Sequence, residues 1–224
     1  MDSNIDPAEL IVTEELLKDF AAKPNLTAEE VYRTSWSRYN ILENIPFHEM
    51  LSSNLILKFL RTPIYAKLPE TMHHFMYEDL YTFAGQYRKA SDPNQGRIYF
   101  GKQHAQQRKP KFTGDHPDSI ADGVTEAVLH LRKWARDPVY KAVRFYQKFV
   151  NIHPFYDGNG RIARLIANTY LYGHGLTISW SDFDSKINFL RKLNRCHLNP
   201  NEETFQILTE HIRKFTISFK DLES

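Results

Sequence analysis

Two stretches of helical apolar spacing, residues 138–152 and 160–172, are joined through His153-Pro154-Phe155-Tyr156-Asp157-Gly158-Asn159-Gly160, and the second opens on Arg161-Ile162-Ala163-Arg164. This junction constrains the chain more than any other segment. Pro154 excludes His153 from the helix that follows. Gly158 and Gly160 can take backbone conformations that side-chained residues avoid. The N–H groups around Asn159 can therefore converge into a nest at a helix start, where the dipole favours phosphate. Arg161 and Arg164 can project from one side of the first turns, and each carries a planar fork suited to phosphate oxygens. Asp157 is a hard oxygen ligand for a Mg²⁺ bridging two phosphates. His153 is placed as a general base at the mouth. A surface turn would account for Gly-Asn-Gly but for neither the histidine nor the arginine spacing.

The string resembles the motif of the Fic (filamentation induced by cAMP) family, H-P-F-x-[D/E]-G-N-G-R-x-x-R, and matches it at every defined position. The resemblance implies an all-α fold, the Fic helical core with a short β-hairpin flap. It also implies protein AMPylation: a Ser, Thr or Tyr hydroxyl of a target protein attacks the α-phosphate of ATP, AMP is transferred and pyrophosphate leaves. On that basis His153 takes the hydroxyl proton and Asp157 binds Mg²⁺ on the α- and β-phosphates. Gly158, Asn159 and Gly160 cradle the phosphates, Arg161 supports the β-phosphate and Arg164 reaches the γ-phosphate. Phe155 reads as an aromatic plug anchoring the loop. Rival readings are a phosphate or phosphocholine transferase, a deAMPylase in which Glu43 orients water, and a non-catalytic nucleotide-sensing module. The Gly-Asn-Gly-Arg spelling argues against the phosphate variant, and an intact His153 and Asp157 argue against pure sensing.

A chain of 224 residues with 42% hydrophobic and 25% charged residues can bury one sizeable core. The net charge of +2 points to no nucleic-acid or membrane partner. The start lacks a basic and apolar leader pattern, and no apolar run reaches the length of a membrane span. Cys196 is the single cysteine. It excludes an internal disulfide framework and a cysteine-rich zinc site, and it fits a reducing cytoplasm. His73 and His74 read as ordinary helix residues. No feature sets an oligomeric state.

The remaining pattern is helical. Thr27-Ala28-Glu29-Glu30 is a capping box, opening a helix that carries Val31, Trp36, Tyr39 and Leu42 towards a stop at Pro46. Further helices are expected over 47–60, from Pro69-Glu70 through Phe83 to a break at Gly85, and over 118–136, 182–195 and 201–219. Val143, Phe145, Phe149 and Val150 are core candidates. We divide the chain into an N-terminal helical extension, 1–68, and a catalytic domain, 69–220. The segment Ala84-Gly85-Gln86-Tyr87-Arg88 resembles the family's Ala-Gly-x-[Tyr/Phe]-Arg.

Four further assignments follow. The run from Asn94 to Gly101 reads as a strand or hairpin arm. The resemblance makes it a flap that pairs with target main chain, with Ile98, Tyr99 and Phe100 holding substrate. The basic stretch Lys102 to Lys111, with Arg108 and Lys109, is a solvated loop or a partner contact. At the adenine end, Phe189, Leu190 and Leu193 follow core spacing. The resemblance assigns base contact to Asn194, six residues before Pro200, whereas Ile187 stands where an aromatic residue often covers the base. Finally, Tyr39-Asn40-Ile41-Leu42-Glu43-Asn44 resembles the family's inhibitory helix, [S/T]-x-x-x-E-[G/N], with Tyr39 in place of Ser or Thr. Its implied role is for Glu43 to pair with Arg164 and exclude the γ-phosphate.

Overall fold

A computed structural model describes residues 7–43, 55–100, 112–133, 136–178 and 186–218. In chain order the described elements are α1 (Pro7–Phe20), α2 (Ala28–Glu43), α3 (Leu55–Leu60) and α4 (Leu68–Tyr77), followed by β1 (Tyr99–Phe100) and β2 (Phe112–Thr113). Then come α5 (Pro117–Arg132), α6 (Pro138–Ile152), α7 (Asn159–Tyr172), β3 (Leu176–Ile178), α8 (Lys186–Leu198), α9 (Glu202–Arg213) and β4 (Thr216–Ser218). Short 3₁₀ turns at Tyr65–Lys67 and Pro93–Gly96 precede α4 and β1.

Helix α6 is the axle of the fold, packed against α5, α7, α8 and α9. Its start is set by Asp137, whose Oδ1 accepts from Tyr140 N at 3.0 Å, with Pro138 in the first turn. Apolar residues surround it on nearly all sides, as a helix buried in a core requires. Val143, Phe145 and Phe149 are at most 1% exposed; burying a side chain such as Phe149 stabilises the fold by about 2–3 kcal/mol. Helix α7 continues from α6 after the motif loop and buries Ile162, Ile166 and Leu171 against it. The loop is thus wedged between the two most extensively packed helices.

Helix α2 begins at the capping box: Glu30 Oε2 accepts from Thr27 N at 2.9 Å and Thr27 Oγ1 accepts from Glu30 N at 3.2 Å. Val31, Ser35 and Tyr39 form its buried stripe, which faces α1, α4 and α7. The N-terminal region is therefore laid directly against the helix that carries the motif arginines.

Two helix ends expected from the sequence are corrected. The helix expected to reach Phe83 ends at Tyr77. Residues 80–82 instead bond to the end of α1, through Ala22 N to Leu80 O (3.2 Å), Thr82 N to Phe20 O (2.9 Å) and the bridge between Ala21 and Tyr81. Helix α1 itself was not read from the sequence. The helix expected over 201–219 stops at Arg213, and Thr216–Ser218 pairs antiparallel with Leu176–Ile178. Of the helix expected over 47–60, only residues 55–60 fall within the described part. The basic stretch 102–111 and Asn44 lie outside the described residues.

Candidate active site

The motif loop is built by its own side chains before any ligand is considered. Asn159 is 2% exposed, and its amide braces Phe155 from both sides: Oδ1 accepts from Phe155 N at 2.9 Å and Nδ2 donates to Phe155 O at 2.8 Å. Its side chain therefore shapes the loop rather than facing a phosphate. Phe155 is fully buried against the His73 ring, 3.8 Å between centroids, as the plug reading expected. Gly158 has φ +77°, and a Cβ there would lie 2.6 Å from the Tyr77 ring, so both backbone and space demand glycine. A Cβ on Gly160, by contrast, would meet nothing within 4 Å. The start of α7 is open at the point where a phosphate would approach its N–H groups.

His153 closes α6 in a left-handed conformation, φ 53° and ψ 60°, with its N–H on Phe149 O at 3.1 Å. Its Nδ1 lies 3.1 Å from Val150 O. A carbonyl can only accept, so Nδ1 carries the proton and the Nε2 lone pair is left as the proton acceptor. Burial is the main cause that lowers the His153 pKa to about 4; the Arg88 cation adds to it, while the Val150 contact and Asp157 oppose it. The imidazole is neutral at pH 7. Phe100 of β1 stacks on it, 4.2 Å between centroids and 16° between planes. The flap thus lies on the base.

Asp157 and Arg161 form an i,i+4 pair, with Arg161 Nη2 3.1 Å from both carboxylate oxygens. Oδ1 also accepts from Gly158 N at 2.6 Å. The other end of Arg161 is held by α2, where Nη1 donates to Ser35 Oγ at 2.6 Å and the guanidinium sits 5.4 Å from the Trp36 ring centre. Arg164 lies among the phenols of Tyr39 and Tyr146; burial alone would lower its pKa, but the two tyrosines raise it above the ordinary value. Helix α2 therefore touches both motif arginines, through Ser35 and Tyr39, which are one turn apart. Glu43 is the last residue of α2, and its side chain lies outside the described residues.

Two histidines outside the motif pack around the site, His73 beneath the loop and His197 against the flap. His73 is fully buried, and its Nδ1 accepts from Gly85 N at 3.0 Å. Nε2 therefore carries the proton and donates to Asp157 O at 3.2 Å. Burial lowers its pKa to about 3, which keeps this arrangement neutral. His197 of α8 lies 2.9 Å from Gln147 and meets the Phe100 and Phe112 rings edge-on. No spacing in the sequence marks either histidine, because each acts through contacts made only after folding. Asn194 lies on the same helix α8, partly buried, and the Ile187 side chain is outside the described residues.

The flap pairs Tyr99 with Thr113 and Phe100 with Phe112. Gly114 N donates to Ile98 O at 3.1 Å, which makes Ile98 and Gly114 a hydrogen-bonded pair. In an antiparallel ladder such pairs alternate with non-bonded ones, so the Tyr99 N–H and C=O face the outer edge of β1. Tyr99 is 52% exposed.

The family model of Fic/DOC proteins matches residues 64–171, a span that contains the whole motif. It is 24% identical over 173 residues to a protein adenylyltransferase of Caenorhabditis briggsae, covering 73% of this chain and 32% of that protein. It is 29% identical over 171 residues to a probable protein adenylyltransferase of Aquifex aeolicus, covering 74% of this chain and 42% of that protein. The chain thus spans less than half the length of either relative. Among solved structures it shares its fold with the BepC protein of Bartonella tribocorum, solved with bound AMPPNP, at a TM-score of 0.56 and 15% identity over 85% of this chain and 88% of that one. No described helix is long and apolar enough to cross a membrane.

Proposed function

We propose that the chain is a protein adenylyltransferase that moves AMP from Mg·ATP to a hydroxyl side chain of a target protein. The observation that carries this reading is the fixed tautomer of His153, a neutral base with Nε2 available, next to an open, glycine-lined helix start flanked by Arg161 and Arg164. The target hydroxyl gives its proton to Nε2 as its oxygen attacks the α-phosphorus. The bond to pyrophosphate breaks, and the leaving group departs towards the arginines. The chain's contribution is orientation and fixed charge facing the charge that develops. Relatives named adenylyltransferase and a neighbour solved with a nucleotide analogue support the reading.

A divalent metal fits this site as a partner of the nucleotide, not as a resident ion. Among the described residues no group of three or more metal-ligating side chains exists, and Asp157 is the carboxylate of the motif loop. One hard carboxylate plus substrate phosphates suits Mg²⁺. Asp157 would hold it, and the ion would neutralise the leaving pyrophosphate. The test of the reading is incubation with α-labelled and γ-labelled ATP. Label on protein from the α position alone supports it, and label from γ alone replaces it with phosphoryl transfer.

The outward main chain of Tyr99 gives the flap a role in holding target backbone as an added strand. Tyr99→Pro is expected to lower modification of protein substrate about tenfold by removing one edge donor. ATP affinity should stay unchanged, since the ladder to β2 is not interrupted. Equal loss of both would show that the hairpin only supports the core.

Contact of α2 with both arginines supports a built-in brake at its end. With Tyr39 occupying the place of the short hydroxyl, Glu43→Gly is expected to raise auto-AMPylation roughly tenfold, a coupling of ordinary size. The gain should vanish in the Glu43→Gly, Arg164→Ala double variant. A wild-type protein already as active as Glu43→Gly would remove the brake.

A further inference from the structure

Arg88 is a formal cation at 2% exposure, and every described hydrogen bond of its guanidinium goes to a backbone carbonyl. Nε donates to His153 O at 2.8 Å. Nη2 donates to Asp115 O at 3.0 Å and Ile152 O at 3.3 Å, and Nη1 donates to Gly96 O. Its own N–H adds a bond to Pro154 O at 3.0 Å. Two of these carbonyls, from Ile152 and His153, lie at the C-terminal end of α6, where the helix dipole is negative and a cation is favoured. The other two bracket the flap: Gly96 comes just before β1 and Asp115 just after β2.

The surrounding chain is shaped around this side chain. Asn94, Gln95 and Gly96 follow one another in left-handed conformations, with φ of 53°, 56° and 63°. Such a run persists only where its surroundings hold it, and Arg88 holds its last carbonyl. At the far side of the flap, a Cβ on Gly114 would lie 2.9 Å from Arg88 Nη2 and 3.1 Å from His153 Cβ. The base, the arginine and the flap exit meet at that glycine.

We infer that Arg88 is the positioning residue of the site, one guanidinium that fixes the backbone of His153 and both ends of the flap, and so sets Phe100 and the target-binding edge in register with the base. This inference rests on the transferase reading for its kinetic consequence but not for its structural one. A lysine could keep the charge, but its single ammonium cannot span four carbonyls on separate segments. The charged and titratable groups that face His153 are Arg88, Asp157 and His197, with Asp115 behind Arg88.

The test compares wild type, Arg88→Met, Arg88→Lys and Gly114→Ala by NMR titration of His153, hydrogen exchange of the flap amides and steady-state kinetics with ATP. In Arg88→Met the His153 pKa should rise, because a cation is lost and the Phe100 cover loosens. Exchange at the residue 114 amide should speed up by about tenfold or more. Arg88→Lys should show the same faster exchange with a smaller rise in pKa. Gly114→Ala, which leaves Arg88 in place but pushes on it, should reproduce the Lys result and keeps the test open if Arg88→Met does not fold. Transfer should fall about a hundredfold in kcat, with the KM for ATP within about twofold. Unchanged His153 titration and unchanged flap exchange in folded variants would overturn the inference, as would a loss confined to ATP affinity. Absence of transfer by wild type would sink the adenylyltransferase reading while leaving the NMR and exchange arms to decide the role of Arg88.

Discussion

His153→Ala is expected to reduce AMP transfer roughly a thousandfold, the scale on which a positioned general base acts, while ATP binding stays within about twofold of wild type. On the proposed reading, binding belongs to the start of α7 and the two arginines and proton transfer to Nε2, so the two functions separate on different sides of Pro154. Alanine inherits a left-handed backbone at this position, which costs on the order of 1–2 kcal/mol. His153→Asn is the matched control, because asparagine tolerates that conformation better. Both variants should be equally inactive if the base is what matters. The pH profile supplies a second check. A base with a pKa near 4 is unprotonated through the neutral range, so the acid limb of kcat/KM should fall near pH 4 and not near 6.5. The limb of kcat should lie higher, since bound phosphates stabilise the imidazolium. Transfer by the folded alanine variant at wild-type rate would remove the assignment.

The contrast between what the sequence discloses and what folding adds runs along the distinction between local and distant contacts. The α6–loop–α7 passage is legible because its determinants sit side by side: Pro154 ends one helix, glycines open the next and apolar spacing fills both. The capping box of α2 is legible for the same reason. Strand β4 was not, since Phe215 extends the helical spacing of α9 and three residues of strand gain stability only by pairing with β3, some forty positions earlier in the sequence. His73 read as one of two adjacent helix histidines, and its bonds to Gly85 and Asp157 span 12 and 84 residues. Asn159 is the reverse case. Its place in the motif suggested a phosphate contact, whereas in the fold its side chain is satisfied by Phe155. Its backbone can still serve the nest.

Asp157→Ala is expected to lower Mg²⁺-supported transfer by about a hundredfold or more, the loss that follows when leaving-group charge is no longer stabilised by a held metal. The structure makes the result more specific than a simple loss. The Asp157 carboxylate is engaged by Arg161 and by Gly158 N–H, so bringing a metal to it requires Arg161 to move to the incoming phosphates. Removing the carboxylate releases Arg161 from its acidic partner but leaves its Ser35 contact. ATP affinity measured in chelator should then be equal to or greater than that of wild type, while the stimulation by Mg²⁺ disappears. Asp157→Asn separates the two duties of this side chain. Its Oδ1 can still accept from Gly158 N–H and preserve the start of α7, but it lacks the charge that holds a divalent ion. The asparagine variant should therefore match wild type in thermal stability and alanine in activity. Full activity of either variant, or wild-type activity surviving excess chelator, would show that the metal is held elsewhere or is not used.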